Sequence, residues 1–266
     1  MERRLALVTG ASAGIGAAFA RRLAAQGYDL ALSARRRERL EALAAELRAE
    51  HGAAAIVAPA DLARPGGPAA VLDQVAAAGR GVDVLINNAG YGLPGSFAAT
   101  AWADQQALLQ LLAVSPCELA HGLLPGMTQR RFGRIVNVAS LAGLVPGVAG
   151  HTLYAAAKSL LIKFSESLHL ETRRQGVHVT ALCPGFTYSE FHDVNGMRAR
   201  ITAGTPRWMW GSAEAVVAAG WRAAEANRPI CVPGLANQAL AALSRLVPET
   251  LALEIMASQG HRYREV

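Results

Sequence analysis

Short apolar runs of strand length alternate with helix-length amphipathic stretches along most of this 266-residue chain, and that rhythm constrains its fold more than any other feature. Leu5–Thr9, Tyr28–Ser33, Ala53–Ala58, Val82–Ile86, Arg134–Ala139 and Val177–Cys183 each read as strands, with Ile230-Cys231-Val232 as a weaker seventh. Between them, Ala17–Gln26, Arg37–His51, Trp102–Met127 and Tyr154–Gln175 repeat apolar residues at three-to-four spacing, the period of a helix with one buried face. Strands apolar on both sides, in strict alternation with helices, predict a parallel sheet covered on both faces. Right-handed crossovers make that an α/β doubly wound sheet of about seven strands, whose ligand crevice opens at the carboxyl ends of the strands.

Apolar residues supply 52% of the chain and charged residues 17%, enough for a large core and too apolar for disorder. The length suits one domain spanning residues 1–266. Arg64-Pro65-Gly66-Gly67-Pro68 reads as a turn, because the alternation resumes directly after it. Residues 186–212 interrupt the rhythm as an irregular segment long enough to be a substrate loop, and a helix is expected from about Ser212. Residues 235–266 form a C-terminal extension in which Leu235–Met256 is amphipathic, suited to capping a pocket, meeting another subunit or lying on a membrane surface, with its net polarity favouring the first two.

Basic residues outnumber acidic ones 26 to 20, a net charge of +6, yet apart from Arg35-Arg36-Arg37-Glu38-Arg39 they are scattered. That pattern predicts no nucleic-acid stripe. Cys117, Cys183 and Cys231 lie far apart, without C-x-x-C or His at ligand spacing. Neither a disulfide framework nor a metal site is expected, and a reducing compartment is. The apolar run behind Met1-Glu2-Arg3-Arg4 stops at Thr9-Gly10, too short for a signal-peptide core. No stretch reads as bilayer-spanning, so the expectation is a cytoplasmic protein.

The first strand runs into Thr9-Gly10-Ala11-Ser12-Ala13-Gly14-Ile15-Gly16 and then a helix. Glycines at such a turn let backbone approach a pyrophosphate, and the helix N-terminus offers free N–H groups and a positive dipole end. The spacing G-x-x-x-G-x-G resembles that of the short-chain dehydrogenase/reductase family. Four further motifs carry the resemblance in the family's order: Asn87-Asn88-Ala89-Gly90, Ser140 after Asn137-Val138-Ala139, Tyr154-Ala155-Ala156-Ala157-Lys158, and Pro184-Gly185. The resemblance spans roughly residues 5 to 190 and implies a Rossmann-type oxidoreductase. It assigns Ser140, Tyr154 and Lys158 to catalysis. It assigns Gly10, Ser12, Gly14, Ile15, Gly16, Asp61, Leu62, Asn88, Ala89, Gly90, Tyr154, Lys158, Pro184, Gly185, Thr187 and Ser189 to cofactor binding. Asp61 would otherwise be a helix N-cap.

The end of the second strand reads Ser33-Ala34-Arg35-Arg36, without the carboxylate that would bind the ribose hydroxyls of NAD. Guanidinium groups suit a 2′-phosphate, so NADP(H) is the expected cofactor, with Arg35 and Arg36 as its phosphate contacts. Tyr154 and Lys158 are four apart and share a helix face. Moving a phenol from about 10 to about 7 takes roughly 4 kcal/mol. An ammonium at about 4 Å supplies roughly that at an effective dielectric of about 20. Only Lys158 and Lys163 among 26 basic residues are lysine, so a random basic position would be lysine about one time in thirteen. Lys163 is expected to be exposed.

The implied reaction is hydride transfer between a ketone or aldehyde and an alcohol, with Tyr154 as acid–base and Ser140 on the substrate oxygen. One departure stands out. The position of the family's catalytic asparagine falls on Leu112, which leaves two readings: proton delivery rerouted, for example through Ser115, or an NADP(H)-binding scaffold or redox sensor with weak catalysis. Phe186, Tyr188, Phe191, Trp208, Met209 and Trp210 suggest either an apolar pocket or a loop packed on itself. An apolar substrate is therefore expected, of 3-oxoacyl, steroid-like or other hydrophobic type, with His151 near the entrance. The resemblance also implies a homodimer or homotetramer built through Trp102–Met127 and Tyr154–Gln175.

Overall fold

The structure, a computed structural model, describes residues 3–93, 95–188 and 209–259. Seven strands, β1 (Leu5–Thr9), β2 (Asp29–Ser33), β3 (Ala55–Val57), β4 (Val82–Asn87), β5 (Gly133–Val138), β6 (Val177–Leu182) and β7 (Ile230–Cys231), form one sheet ordered β3-β2-β1-β4-β5-β6-β7. Every neighbouring pair is parallel. The order reverses between β1 and β4, which places a crevice at their carboxyl ends.

Alternation along the strands divides the core in two. Ala6 and Val8 of β1 pack with α1 (Gly14–Ala25), α2 (Arg37–His51) and α7 (Ala213–Glu225). Leu5 and Leu7 pack on the other side with α3 (Gly67–Ala76), α4 (Trp102–Leu109), α5 (Ser115–Gln129) and α6 (Thr152–Thr172). Two C-terminal helices, α8 (Leu235–Leu243) and α9 (Glu249–Gln259), lie beyond β7.

The boundaries depart from the sequence pattern for local reasons. α1 starts at Gly14, three residues before the first apolar repeat, and takes the glycines into its opening turn. β3 is only three residues because just Ala55, Ile56 and Val57 pair with β2 at the sheet edge. The expected helix Trp102–Met127 is interrupted by a π turn over Gln110–Val114. Pro116 comes two residues after it, and proline lacks the N–H that would bond the Leu112 carbonyl, so the helix widens there. Leu235–Met256 is two helices, parted just before Pro248–Glu249.

The reading that no stretch spans a bilayer needs one refinement of length. The 28 residues Trp102–Gln129 are long and apolar enough to cross a bilayer. In this fold their apolar character serves the core: Leu108, Leu111, Leu112, Leu119, Ala120 and Met127 are buried against the sheet. Trp102, Val114, Leu160 and Leu170, on the helices for which the resemblance implies subunit contacts, stand exposed.

Candidate active site

The crevice at the β1/β4 reversal is a cavity of about 480 Å³. Gly10, Ser12, Gly14 and Ile15 line one end, and Gly10 takes φ +64, a backbone state that favours glycine. Gly16 does not line it. A Cβ there would lie 2.2 Å from the Gly10 carbonyl oxygen, so its role is to let α1 close onto the turn. No side chain caps α1 and its first turn has no acidic residue, which leaves its N–H groups available to an anion.

Thr9 fastens this turn to the Asn88-Ala89 segment. Its hydroxyl donates to the Ile86 carbonyl and accepts from the backbone N–H groups of Asn88 (2.9 Å) and Ala89 (3.1 Å). The Asn88 carboxamide donates back to the Thr9 carbonyl at 2.9 Å and the Gly10 carbonyl at 3.3 Å. Asn88, Ala89 and Gly90 all line the cavity.

Beside the glycine turn Arg35 and Arg36 are exposed on the cavity rim. Arg36 donates to the Ser12 hydroxyl at 3.0 Å, which ties the second βα loop to the glycine turn. Asp61 and Leu62 line the neighbouring wall. Asp61 accepts the Ala63 N–H at 3.1 Å and pairs with Arg64 at 3.5 Å, whereas α3 takes Gly66 as its N-cap. Its local role is therefore a turn and not a helix cap.

Ser140, Tyr154 and Lys158 come together at the middle of the cavity from two elements. Ser140 follows β5 and its hydroxyl accepts the Ala142 N–H at 3.1 Å, which opens a short 3-10 turn. Tyr154 and Lys158 project from α6, with Nζ 5.8 Å from the phenol ring centroid. Lys158 is 5% exposed and donates to the Val138 carbonyl at 2.7 Å. Burial pushes its ammonium down to about 8. A buried ammonium with one protein acceptor has donors left for hydroxyl groups of a ligand. Lys163 is 78% exposed and pairs with Glu166.

Behind these groups runs a buried amide ladder. Asn87 donates to Asn137 across the β4–β5 register at 2.8 Å, and Asn137 donates to Ser165 of α6 at 2.8 Å. It locks β5, whose Val138 carbonyl holds Lys158, to the helix that carries Lys158. Leu112 is 1% exposed, and a Cβ on Gly90 would meet its Cδ2 at 2.9 Å. Ser115 cannot reroute a proton. It is fully buried, donates to the Leu62 carbonyl at 2.7 Å, and is absent from the cavity lining.

The family model described as short chain dehydrogenase matches residues 4–197. The chain belongs to the short-chain dehydrogenase family. Nodulation protein G of Rhizobium sp. (strain N33) is 38% identical over 218 residues, which cover 81% of this chain and 87% of that protein. A short-chain dehydrogenase from Sphingobium yanoikuyae, solved in complex with NADPH, superposes with a TM-score of 0.79 at 32% identity over 92% of this chain and 97% of its own. The bulky-bulky ketone specific alcohol dehydrogenase from Comamonas testosteroni does so with 0.76 at 29% identity, over 94% and 96%.

In this short-chain dehydrogenase, Pro184, Gly185 and Thr187 line the cavity beside the catalytic candidates, and Thr187 donates to the Gly185 carbonyl at 3.1 Å. Ser189, Phe191 and Trp208 lie outside the described residues. Tyr188 stacks on Trp210 at 4.8 Å and Phe186 packs tilted against it at 5.5 Å, while Phe186 and Met209 also line the cavity. Both readings of that loop therefore hold in part. His151 lines the cavity with its ring 5.5 Å from that of Tyr154. Sequence reasoning missed Asn237, Leu240 and Met256, which reach the cavity from α8 and α9. The Thr9 latch was available as a signal, since a strand-terminal threonine beside the glycine turn has little reason to be polar otherwise.

Proposed function

We propose that this chain is an NADP(H)-dependent oxidoreductase that interconverts a ketone or aldehyde and the corresponding alcohol, with an apolar substrate. The observation that carries the reading is one cavity lined along its length by Arg35 and Arg36, the glycine turn, and the Ser140, Tyr154 and Lys158 group. The NADPH held by the Sphingobium relative supports the choice of cofactor. The free N–H groups at the start of α1 suit its pyrophosphate, and the remaining Lys158 donors suit its ribose hydroxyls. Arg35 and Arg36 supply forked donors for the 2′-phosphate. When bound, the reduced nicotinamide would supply the hydride for the carbonyl carbon.

The protein's share of the chemistry is to hold the substrate oxygen and move a proton onto it. Ser140 donates a hydrogen bond to that oxygen, and Tyr154 donates the proton. An ammonium whose Nζ lies 5.8 Å from the ring centroid favours the phenolate electrostatically. Lys158 titrates near 8, so it keeps its proton at neutral pH and the charge is present when the reaction needs it.

Replacing Tyr154 by Phe tests the assignment. Turnover should fall by roughly 10² to 10⁴ while NADPH still binds, as read by absorbance at the nicotinamide band and by fluorescence titration. Full activity in Tyr154→Phe would overturn it.

A further inference from the structure

The cavity changes character along its length. Its charged lining residues are Arg35, Arg36 and Asp61 at one end and Lys158 at the reacting centre. Beyond Tyr154 most of the described wall is apolar, with Val145, Val148, Phe186 and Met209 joined by Leu240 of α8 and Met256 of α9, and with His151 and Asn237 as its polar members. Leu240 and Met256 lie outside residues 4–197, the stretch this chain shares with the family model.

Asn237 fixes that C-terminal wall in place. Its carboxamide donates to the Pro233 carbonyl at 2.8 Å. It also sits so close over Gly185 that a Cβ there would lie 2.6 Å from Oδ1. α8 is thereby seated on the Pro184-Gly185 turn, and Leu240, three residues on, falls on the same helix face over the cavity. Leu240 is 42% exposed, so it stands at the mouth.

We propose that α8 and α9 form the specificity wall of the enzyme: Leu240 and Met256 receive the apolar arm of an uncharged ketone or alcohol, and Asn237 positions them. Among the described residues that end of the wall offers no lysine or arginine to a carboxylate at the tip of that arm, and burying an unpaired carboxylate among apolar groups is unfavourable. This inference rests on the oxidoreductase reading above.

The test uses the full chain with NADPH and two substrate series, methyl ketones from 2-butanone to 2-undecanone and keto acids of matched length with a terminal carboxylate. For the neutral series kcat/KM should rise about three- to fourfold per methylene until the wall is filled. Each matched keto acid should be at least tenfold poorer. In Leu240→Ala and in Met256→Ala the ratio of kcat/KM for 2-undecanone to that for 2-butanone should fall at least tenfold, and Leu240→Arg should move preference toward the keto acids. If wild type reduces the ketones but neither alanine variant changes that ratio, the inference falls and the reductase reading stands. If wild type binds NADPH and reduces none of them, both fall.

Discussion

Lys158 carries two demands that pull against each other. Its ammonium has to be buried to lie beside Tyr154, and burial is what lowers it to about 8. Cys183, pushed up to about 12 by burial, stays a neutral thiol. The unfolded chain binds this lysine proton up to about 10.4, whereas the folded chain releases it near 8. Between those values the unfolded state holds more protons, so stability rises with pH and the charged lysine weakens the fold as pH falls toward 8. We predict that, relative to Lys158→Met, the dinucleotide-free wild type gains up to about 3 kcal/mol between pH 8 and 10.5, read from urea midpoints at matched pH. A flat difference across that window would mean that the ammonium is solvated in the free protein.

At the scale of elements, the π turn over Gln110–Val114 decides what surrounds Lys158. Leu112 sits in that turn, buried against Gly90, and Lys158 needs nothing from it because Val138 already supplies an acceptor. Leu112→Asn puts a carboxamide into an apolar site, which costs about 1–3 kcal/mol if it stays unpaired. The expected outcome is a thermal midpoint lower by several degrees with kcat raised less than threefold on a good ketone. A tenfold gain in kcat would instead favour the weak-catalysis reading of this chain. The alternating pattern revealed the strands and α2, whose end is marked by Gly52 in a left-handed C-cap. It missed the break at 110–114 because a π turn leaves the apolar spacing almost unchanged. It also missed the start of α1, where two glycines interrupt the pattern and close packing on Gly10 makes Gly16 necessary. Motif residues were legible because they end strands that converge on one crevice. Leu240 and Met256 were not, since no local spacing tells which distant crevice a C-terminal helix will face. Ser115 looked available only because its bond to the Leu62 carbonyl is long-range.

The crevice draws on the whole molecule. Its lining runs from Gly10 to Met256 and takes residues from both layers around the sheet, so a dinucleotide seated there ties together segments that separate on unfolding. A ligand that binds only the folded state stabilises it by about 3 kcal/mol at a hundred times its dissociation constant. For a chain of this size that corresponds to a rise in Tm of about 5 °C. NADPH should produce this shift, and NADH at the same concentration a much smaller one, because it lacks the phosphate for which Arg35 and Arg36 are proposed. The Arg36 bond to Ser12 makes the effect more than local, since the same guanidinium braces the glycine turn proposed for the pyrophosphate. Replacing both arginines by serine should therefore abolish the difference between the two nucleotides and also trim the shift from NADH. An NADH shift equal to that of NADPH in the wild type would exclude a phosphate site at Arg35 and Arg36, and would leave the hydride chemistry at Tyr154 to be judged separately.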